Sequence, residues 1–323
     1  MEELCKMANQ SKCKIVIITG PTATGKTDAA VEFAEKHGGE IISADSMLVY
    51  RHMNIGTAKP TAEQMARVPH HMVDVADPDD DFSVARWQEG AKNVIDGIIS
   101  QGKLPIIAGG TGLYVRSLLY PMSFAGAGSD DSVRQKWEDF LAEHGAKALH
   151  GELEKVDPET AERLPIGDTR RTIRALEIYQ VTGRTLSEKA REDSERLPEY
   201  DALSLGVNLP REILYDRINR RVDIMISAGL VEEVQSLLAM GVRETATSMQ
   251  GLGYKEIAAH LKGECSFGEA VETLKRRTRN FAKRQVTWFK KYGDVTWLDA
   301  GEGKALETKD ILAFFDEKYG CFR

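Results

Sequence analysis

Short, nearly continuous apolar runs alternate along this chain with segments whose apolar residues return every three to four positions. Lys14–Thr19 (KIVIIT) is the first such run. It leads into a glycine-rich turn and predicts a strand buried on both faces. Thr27–His37 follows, with Ala29, Ala30, Phe33 and Ala34 at helical spacing. Further strands are predicted at Glu40–Ser43, leading to Asp45, and at Leu104–Ala108, ending in Gly109-Gly110-Thr111-Gly112. Ala202–Leu209 and Val295–Leu298 complete the set. Strands alternating with helices predict an α/β fold with a mostly parallel sheet.

Between about Tyr120 and Tyr200 the pattern changes. Ser132–Glu143, Ala146–Lys155 and Arg170–Val181 are charged and helical in character, and no strand is predicted there. Gly126, Gly128 and Ser129 mark the entry and Leu197-Pro198 the exit. The organisation expected is a disordered stretch over 1–13, a core formed by 14–119 and 201–323, and a helical insertion over 120–200. After Pro210, helices are predicted at Arg211–Ala228, Leu230–Ala239 and Phe267–Tyr292.

Composition changes this picture little. In 323 residues no apolar run approaches the ~18 residues of a membrane span. The polar opening MEELCKMANQSKCK does not read as a secretory signal. Cys5, Cys13, Cys265 and Cys321 form no CxxC pair, so neither a zinc site nor a disulfide framework is expected. The expectation is a cytoplasmic protein acting as a monomer, with no membrane partner.

The turn after the first run carries chemistry. Gly20-Pro21-Thr22-Ala23-Thr24-Gly25-Lys26-Thr27 matches the Walker A pattern in full, between a predicted strand and a predicted helix. Glycines let successive backbone N–H groups turn inward, and the helix N-terminus adds partial positive charge. Lys26 can reach a terminal phosphate and the Thr27 hydroxyl can ligate magnesium. The pattern specifies phosphates and leaves open whether they belong to a nucleotide. Asp45 falls at the carboxyl end of the second strand, where open α/β sheets bind ligands. It suits a water-mediated magnesium contact, a base acting on an acceptor, or merely a helix N-cap.

Charge is the other departure. The net charge is −7, yet Lys275 to Lys291 holds eight Lys or Arg residues and no acid. Such a helix neutralises phosphates. Lys275, Arg279, Lys283 and Arg284 are its candidate nucleic-acid contacts. Phe281 and Trp288, at helical spacing, are expected to face the core. The adjacent His70 and His71 point to opposite faces of any strand, which argues against shared metal ligation.

Four stretches, GPTATGKT at 20–27, ISADSMLVY at 42–50, MNIGTAKP at 53–60 and AGGTGLY at 108–114, together resemble the tRNA dimethylallyltransferase (tRNA isopentenyltransferase) family. The resemblance continues in order through PHHMVDVADP at 69–78, RRTIRALEIY at 170–179, Arg220-Arg221, GLGYKE at 251–256 and AKRQVTWFK at 282–290. With no Cys/His zinc pattern near the C-terminus, the likeness is to the bacterial type. It implies a P-loop NTPase-like core with an inserted helical domain. The implied reaction moves the allyl group of dimethylallyl diphosphate to the exocyclic amine of the adenosine 3′ of the anticodon, with Mg2+ and without ATP.

The resemblance also implies roles. Lys26, the loop amides, Arg221 and magnesium on Thr27 would hold the leaving diphosphate, and Thr111 would contact the oxygen at which the bond breaks. Asp45 would accept the amine proton, while Ser46, Met47 and Leu48 line the adenosine pocket. Arg134, Arg170, Arg171, Thr172, Ile173 and Arg174, together with Gln250, Gly251, Leu252, Gly253, Tyr254 and Lys255, would contact the tRNA anticodon stem-loop, over which the insertion would close. Prenylation of free adenine nucleotides and a small-molecule P-loop kinase are the alternatives. The first has less need of the arginine-rich insertion, and the second leaves the basic helix unexplained.

Overall fold

Six parallel strands form one sheet in the order β3-β2-β4-β1-β5-β6. They are β1 (Lys14–Thr19), β2 (Gly39–Ser43), β3 (His70–His71), β4 (Leu104–Ala108), β5 (Asp201–Asn208) and β6 (Thr296–Asp299). The computed structural model describes residues 12–120, 130–195, 197–292, 294–300 and 306–322. Of the stretch expected to be disordered, 1–11 lies outside the described residues, as do Gly126, Gly128 and Ser129.

The chain divides into two compact units, one comprising Met1–Leu119 with Tyr200–Arg323 and the other Tyr120–Glu199. In the first, the helices are α1 (Lys26–His37), α2 (Ala62–Arg67), α3 (Val84–Ser100) and α4 (Gly112–Leu119) before the second unit. After it come α9 (Arg211–Ser227), α10 (Leu230–Ala239), α11 (Tyr254–Leu261), α12 (Phe267–Tyr292) and α13 (Thr308–Phe322). The second unit holds α5 (Asp131–Val156), α6 (Pro158–Arg163), α7 (Thr169–Thr182) and α8 (Leu186–Glu195), and no strand among its described residues.

The period-two alternation of a strand explains why the runs are apolar throughout. Ile15 and Ile17 of β1 pack with Trp87 and Ile95 of α3, Leu118 of α4 and Phe289 of α12. Val16 and Ile18 face the other way, toward Ala30 and Phe33 of α1 and Phe315 of α13. Both faces of the sheet are therefore covered, as parallel sheets require. Phe33 meets Phe315 and Tyr319 edge-on at 6.0 and 5.4 Å, which seats α13 on α1.

The second unit has its own core of Leu149, Leu153, Ile173 and Leu176. The two helices predicted at its start form one span, α5, interrupted at Gly145, whose φ of 78° and ψ of 170° are non-helical. Asp157 fixes the next turn, accepting from the backbone N–H of Thr160 and of Ser187, both at 3.0 Å. Among the described residues, no helix is long and apolar enough to cross a membrane.

Candidate active site

Three loops of the first unit leave the carboxyl ends of adjacent strands. The loop 20–25 follows β1, Ala44–Leu48 follows β2, and Gly109–Thr111 follows β4. Backbone bonds tie them to one another. Gly109 N donates to Ile18 O at 3.1 Å, Ala44 N to Ala108 O at 2.9 Å, and Thr111 N to Ala44 O at 3.0 Å. Between them and the helices α9, α11 and α12 lies a cavity of about 540 Å³. A volume of this size suits a small-molecule substrate.

Residues 22–27 line one part of that cavity. Gly25 sits in the left-handed region at φ 89° and caps α1 without a side-chain acceptor. The first amides of the helix thus remain available to an anion. Thr24 Oγ1 donates to Pro21 O at 3.0 Å and steadies the loop. Lys26 Nζ donates to Pro21 O at 3.2 Å. Its ammonium is pulled down to about pKa 8, chiefly by burial and then by the neighbouring Arg221, with Asp45 pulling the other way. Burial likewise lowers Arg221, against the charges of Asp45 and Asp28. Among the described residues, neither Lys26 nor Arg221 makes an ion pair. Two partly buried cations held in no ion pair, with the carboxylates of Asp45 and Asp28 near but not bonded to them, are an arrangement that suits an anion.

Asp45, Ser46, Met47 and Leu48 line the same cavity, as do Arg221 and Thr27. One Asp45 carboxylate oxygen accepts from Met47 N at 2.8 Å, the local bond of an aspartate turn. Thr111 is not on the cavity wall. Its hydroxyl accepts from Ser46 N at 3.0 Å and lies 3.4 Å from Ser46 Oγ, so it holds the Asp45–Ser46 turn. Gly20 and Pro21 lie behind the cradle, both buried.

The residues of this chain and their arrangement have close counterparts. The family model for IPP transferase matches residues 48–292, and that for isopentenyl transferase matches residues 13–74. The chain belongs to the IPP transferase family. It is 50% identical over 293 residues to the tRNA dimethylallyltransferase of Pelotomaculum thermopropionicum, covering 90% of this chain and 93% of the relative. The tRNA dimethylallyltransferase of Acetivibrio thermocellus is 48% identical over 288 residues, 89% of this chain and 92% of its own. The crystal structure of a full-length tRNA isopentenylpyrophosphate transferase from Bacillus halodurans is 42% identical, with a TM-score of 0.69 over 96% of this chain and 97% of that one. A eukaryotic dimethylallyltransferase acting on tRNA superposes with a TM-score of 0.79 at 30% identity, over 95% of this chain and 80% of that one.

Within this family frame, the residues expected to touch RNA divide by exposure. Lys283 and Arg284 of α12 are exposed, as are Arg170 and Arg171 of α7, and Gln250 and Lys255. Lys275 and Arg279 are not on that outer face. Lys275 Nζ pairs with Asp223 of α9 at 2.8 Å, and Arg279 donates to Asn219 Oδ1 at 2.6 Å. Thr172 and Ile173 turn into the core of the helical unit, with 1% and 7% exposure. Arg134 and Arg174 reach the buried carboxylate of Glu177 at 3.2 and 2.8 Å. Gly251 and Gly253 are buried and offer no side chain, while Leu252 is half-buried on the cavity wall. Tyr254 is fully buried, and its hydroxyl donates to Glu233 at 2.6 Å. Side-chain contact with RNA is therefore closed to Thr172 and Ile173 in this arrangement, because packing already encloses them, while Tyr254 borders the cavity as a buried side chain.

One expectation about aromatic residues also changes. Phe281 is half-buried on the cavity wall, not in the core, whereas Trp288 is half-buried, packed against the core as expected and against Gly112. Phe289 is the residue that enters the core, at 1% exposure. His71 bonds to Glu40 at 2.7 Å and His70 to Val68 O at 2.8 Å.

Sequence reasoning missed several supports of the site. Glu233 accepts from the backbone N–H of Asn54, Ile55 and Gly56 at 2.8 to 3.1 Å and fastens the MNIGTAKP loop to α10. Arg217 donates to Thr24 O at 3.4 Å and to Leu306 O at 2.9 Å, bracing the cradle from outside. Trp87 stacks on Tyr114 at 4.5 Å and donates to Ser43 O at 2.9 Å, beside the strand end that leads to Asp45.

Proposed function

We propose that this chain transfers the dimethylallyl group of dimethylallyl diphosphate to the exocyclic amine of the adenosine immediately 3′ of the anticodon in tRNA. The observation that carries the reading is the placement of Lys26 and Arg221, partly buried and held in no ion pair among the described residues, in one cavity with Asp45. An allylic carbon–oxygen bond ionises when the departing charge is stabilised. Lys26, Arg221 and the amides of the loop receive the diphosphate, whose negative charge grows as that bond breaks. The adenine amine attacks the allylic carbon as a carbon–nitrogen bond forms. Its proton passes to the Asp45 carboxylate, which completes the exchange. Thr111 supports Asp45 through the Ser46 turn.

The donor set suits Mg2+, an ion that takes one or two protein oxygens and completes its shell with phosphate oxygens and water. Thr27 Oγ1 would hold it at the exposed start of α1, with Asp28 and Asp45 on the same cavity wall. When bound, it neutralises charge on the diphosphate.

On the RNA side, Arg284 on the cavity wall and Lys283 beside it on the exposed face of α12 contact phosphates, and Arg170, Arg171, Gln250 and Lys255 add further contacts. The target base leaves its stack, because a stacked adenine cannot present its amine inside a cavity. The chain acts as a monomer in the cytoplasm. The test is a labelled donor offered with Mg2+ to unmodified tRNA and, separately, to AMP. Label on tRNA is expected. Label on AMP with none on tRNA would overturn the assignment of the acceptor.

A further inference from the structure

The tract that reads as a basic surface also has an inward residue with no charge, Gln285 of α12. Its side chain is 6% exposed and both ends of its amide are used. Oε1 accepts from the backbone N–H of Thr22 at 3.1 Å. Nε2 donates to the carbonyl of Gly110 at 3.0 Å. Thr22 belongs to the diphosphate cradle and Gly110 directly precedes Thr111. A side-chain carbon at Gly110 would collide with Nε2, so a glycine there is a condition of this contact. One turn further along α12, Trp288 packs against Gly112. The helix therefore grips the loop on both sides of Thr111.

We propose that Gln285 is a positioning residue that sets the separation between the loop receiving the leaving diphosphate and the loop supporting Asp45 through Thr111 and Ser46. The proposal rests on the prenyl-transfer reading and deepens it. An amide is the side chain that suits the place. It accepts from a backbone donor at one end and donates to a backbone acceptor at the other, with no net charge. Its donation also occupies a Gly110 carbonyl that borders the anion site, where an uncapped oxygen would repel phosphate. A carboxylate at 285 would still accept from Thr22 N–H. It would face the Gly110 carbonyl lone pair to lone pair and add negative charge beside the cradle. Protonation of that carboxylate restores the donor.

The test compares Gln285→Glu and Gln285→Ala with the wild type in single-turnover prenylation of tRNA, with tRNA affinity and melting temperature measured alongside. Misplacement of the two loops predicts a fall in kcat of about 100-fold for each variant, with tRNA affinity within about twofold of wild type. For Gln285→Glu, burial at this position would raise the introduced carboxyl above the ordinary glutamate range, so the ratio of variant to wild-type rate rises as pH falls from about 8 to 5 and the protonated acid donates to Gly110. Should Gln285→Ala unfold, the pH-dependent ratio of the isosteric variant still decides. Turnover within about threefold of wild type in a folded Gln285→Glu, or a ratio flat with pH, would overturn the positioning role. A wild-type enzyme that labels no tRNA would instead sink the reaction itself.

Discussion

Two pairs of cations in this chain look alike in sequence and differ in what surrounds them. Arg134 and Arg174, in the helical unit, converge on Glu177, which is fully buried. Burial pushes that carboxyl up, but Arg174, the N–H of Asp130 and Arg134 outweigh it and leave the group below the ordinary glutamate range. Lys26 and Arg221 have no such partner among the described residues, and burial lowers both. The first pair completes a fold. The second, on the proposed reading, is completed by an anion. Counting basic residues does not separate these cases, whereas asking where each counter-charge sits does.

Several substitutions sharpen or break the contrast. Asp45→Asn removes the proton acceptor and keeps the shape of the pocket, so turnover should fall by about 10² to 10⁴ while both substrates still bind. Quenched-flow prenylation together with equilibrium binding checks this. Lys26→Met should lower single-turnover rates by about 10² to 10³, since a group facing the developing charge is gone.

The same lysine sets a pH dependence. Its unliganded pKa is lowered to about 8, and the negative charge of a bound diphosphate would raise it. Diphosphate affinity is then fully present below about pH 8. It falls as pH rises toward the bound-state value, by at most about tenfold per pH unit. Titration calorimetry at constant ionic strength from pH 7 to 9.5 measures the slope, and Lys26→Arg should flatten it.

On the RNA side, Lys283→Ala with Arg284→Ala should weaken tRNA binding and make log K against log[salt] shallower by about 1 to 2. Lys275→Ala should change that slope far less, because its ammonium already faces Asp223. The smallest effect on chemistry is expected for Arg134→Ala. It should cost about 1–3 kcal/mol of stability, seen in urea melts, by removing a partner of Glu177. The rate of prenyl transfer should stay near wild type.

Much of this arrangement was legible beforehand, for identifiable reasons. Strands buried on both faces are apolar without interruption, so β1, β2 and β4 stand out, and the glycine pattern after β1 marks the cradle. Strand β3 is only His70–His71, too short and too polar to register. Helix α11 starts at Tyr254 because Glu256 accepts from Gly253 N at 2.8 Å, an arrangement hidden among the glycines of GLGYKE. The basic tract gave the charge of α12 but not its inward face. Ala270, Leu274, Ala282, Gln285 and Phe289 are its buried positions, and Lys275 and Arg279 fall beside that stripe, where Asp223 and Asn219 of α9 meet them. A lone glutamine inside such a run carries no signal until two backbone groups are seen at its ends.

On the proposed reading the cradle grips a leaving diphosphate and does not hydrolyse or transfer the phosphate of ATP. The most direct measurement follows products quantitatively with tRNA, dimethylallyl diphosphate, Mg2+ and ATP present together. One diphosphate should be released for each prenyl group that appears on tRNA, with no orthophosphate or ADP from ATP. Consumption of ATP in step with turnover, or phosphate transfer without prenylation, would contradict it.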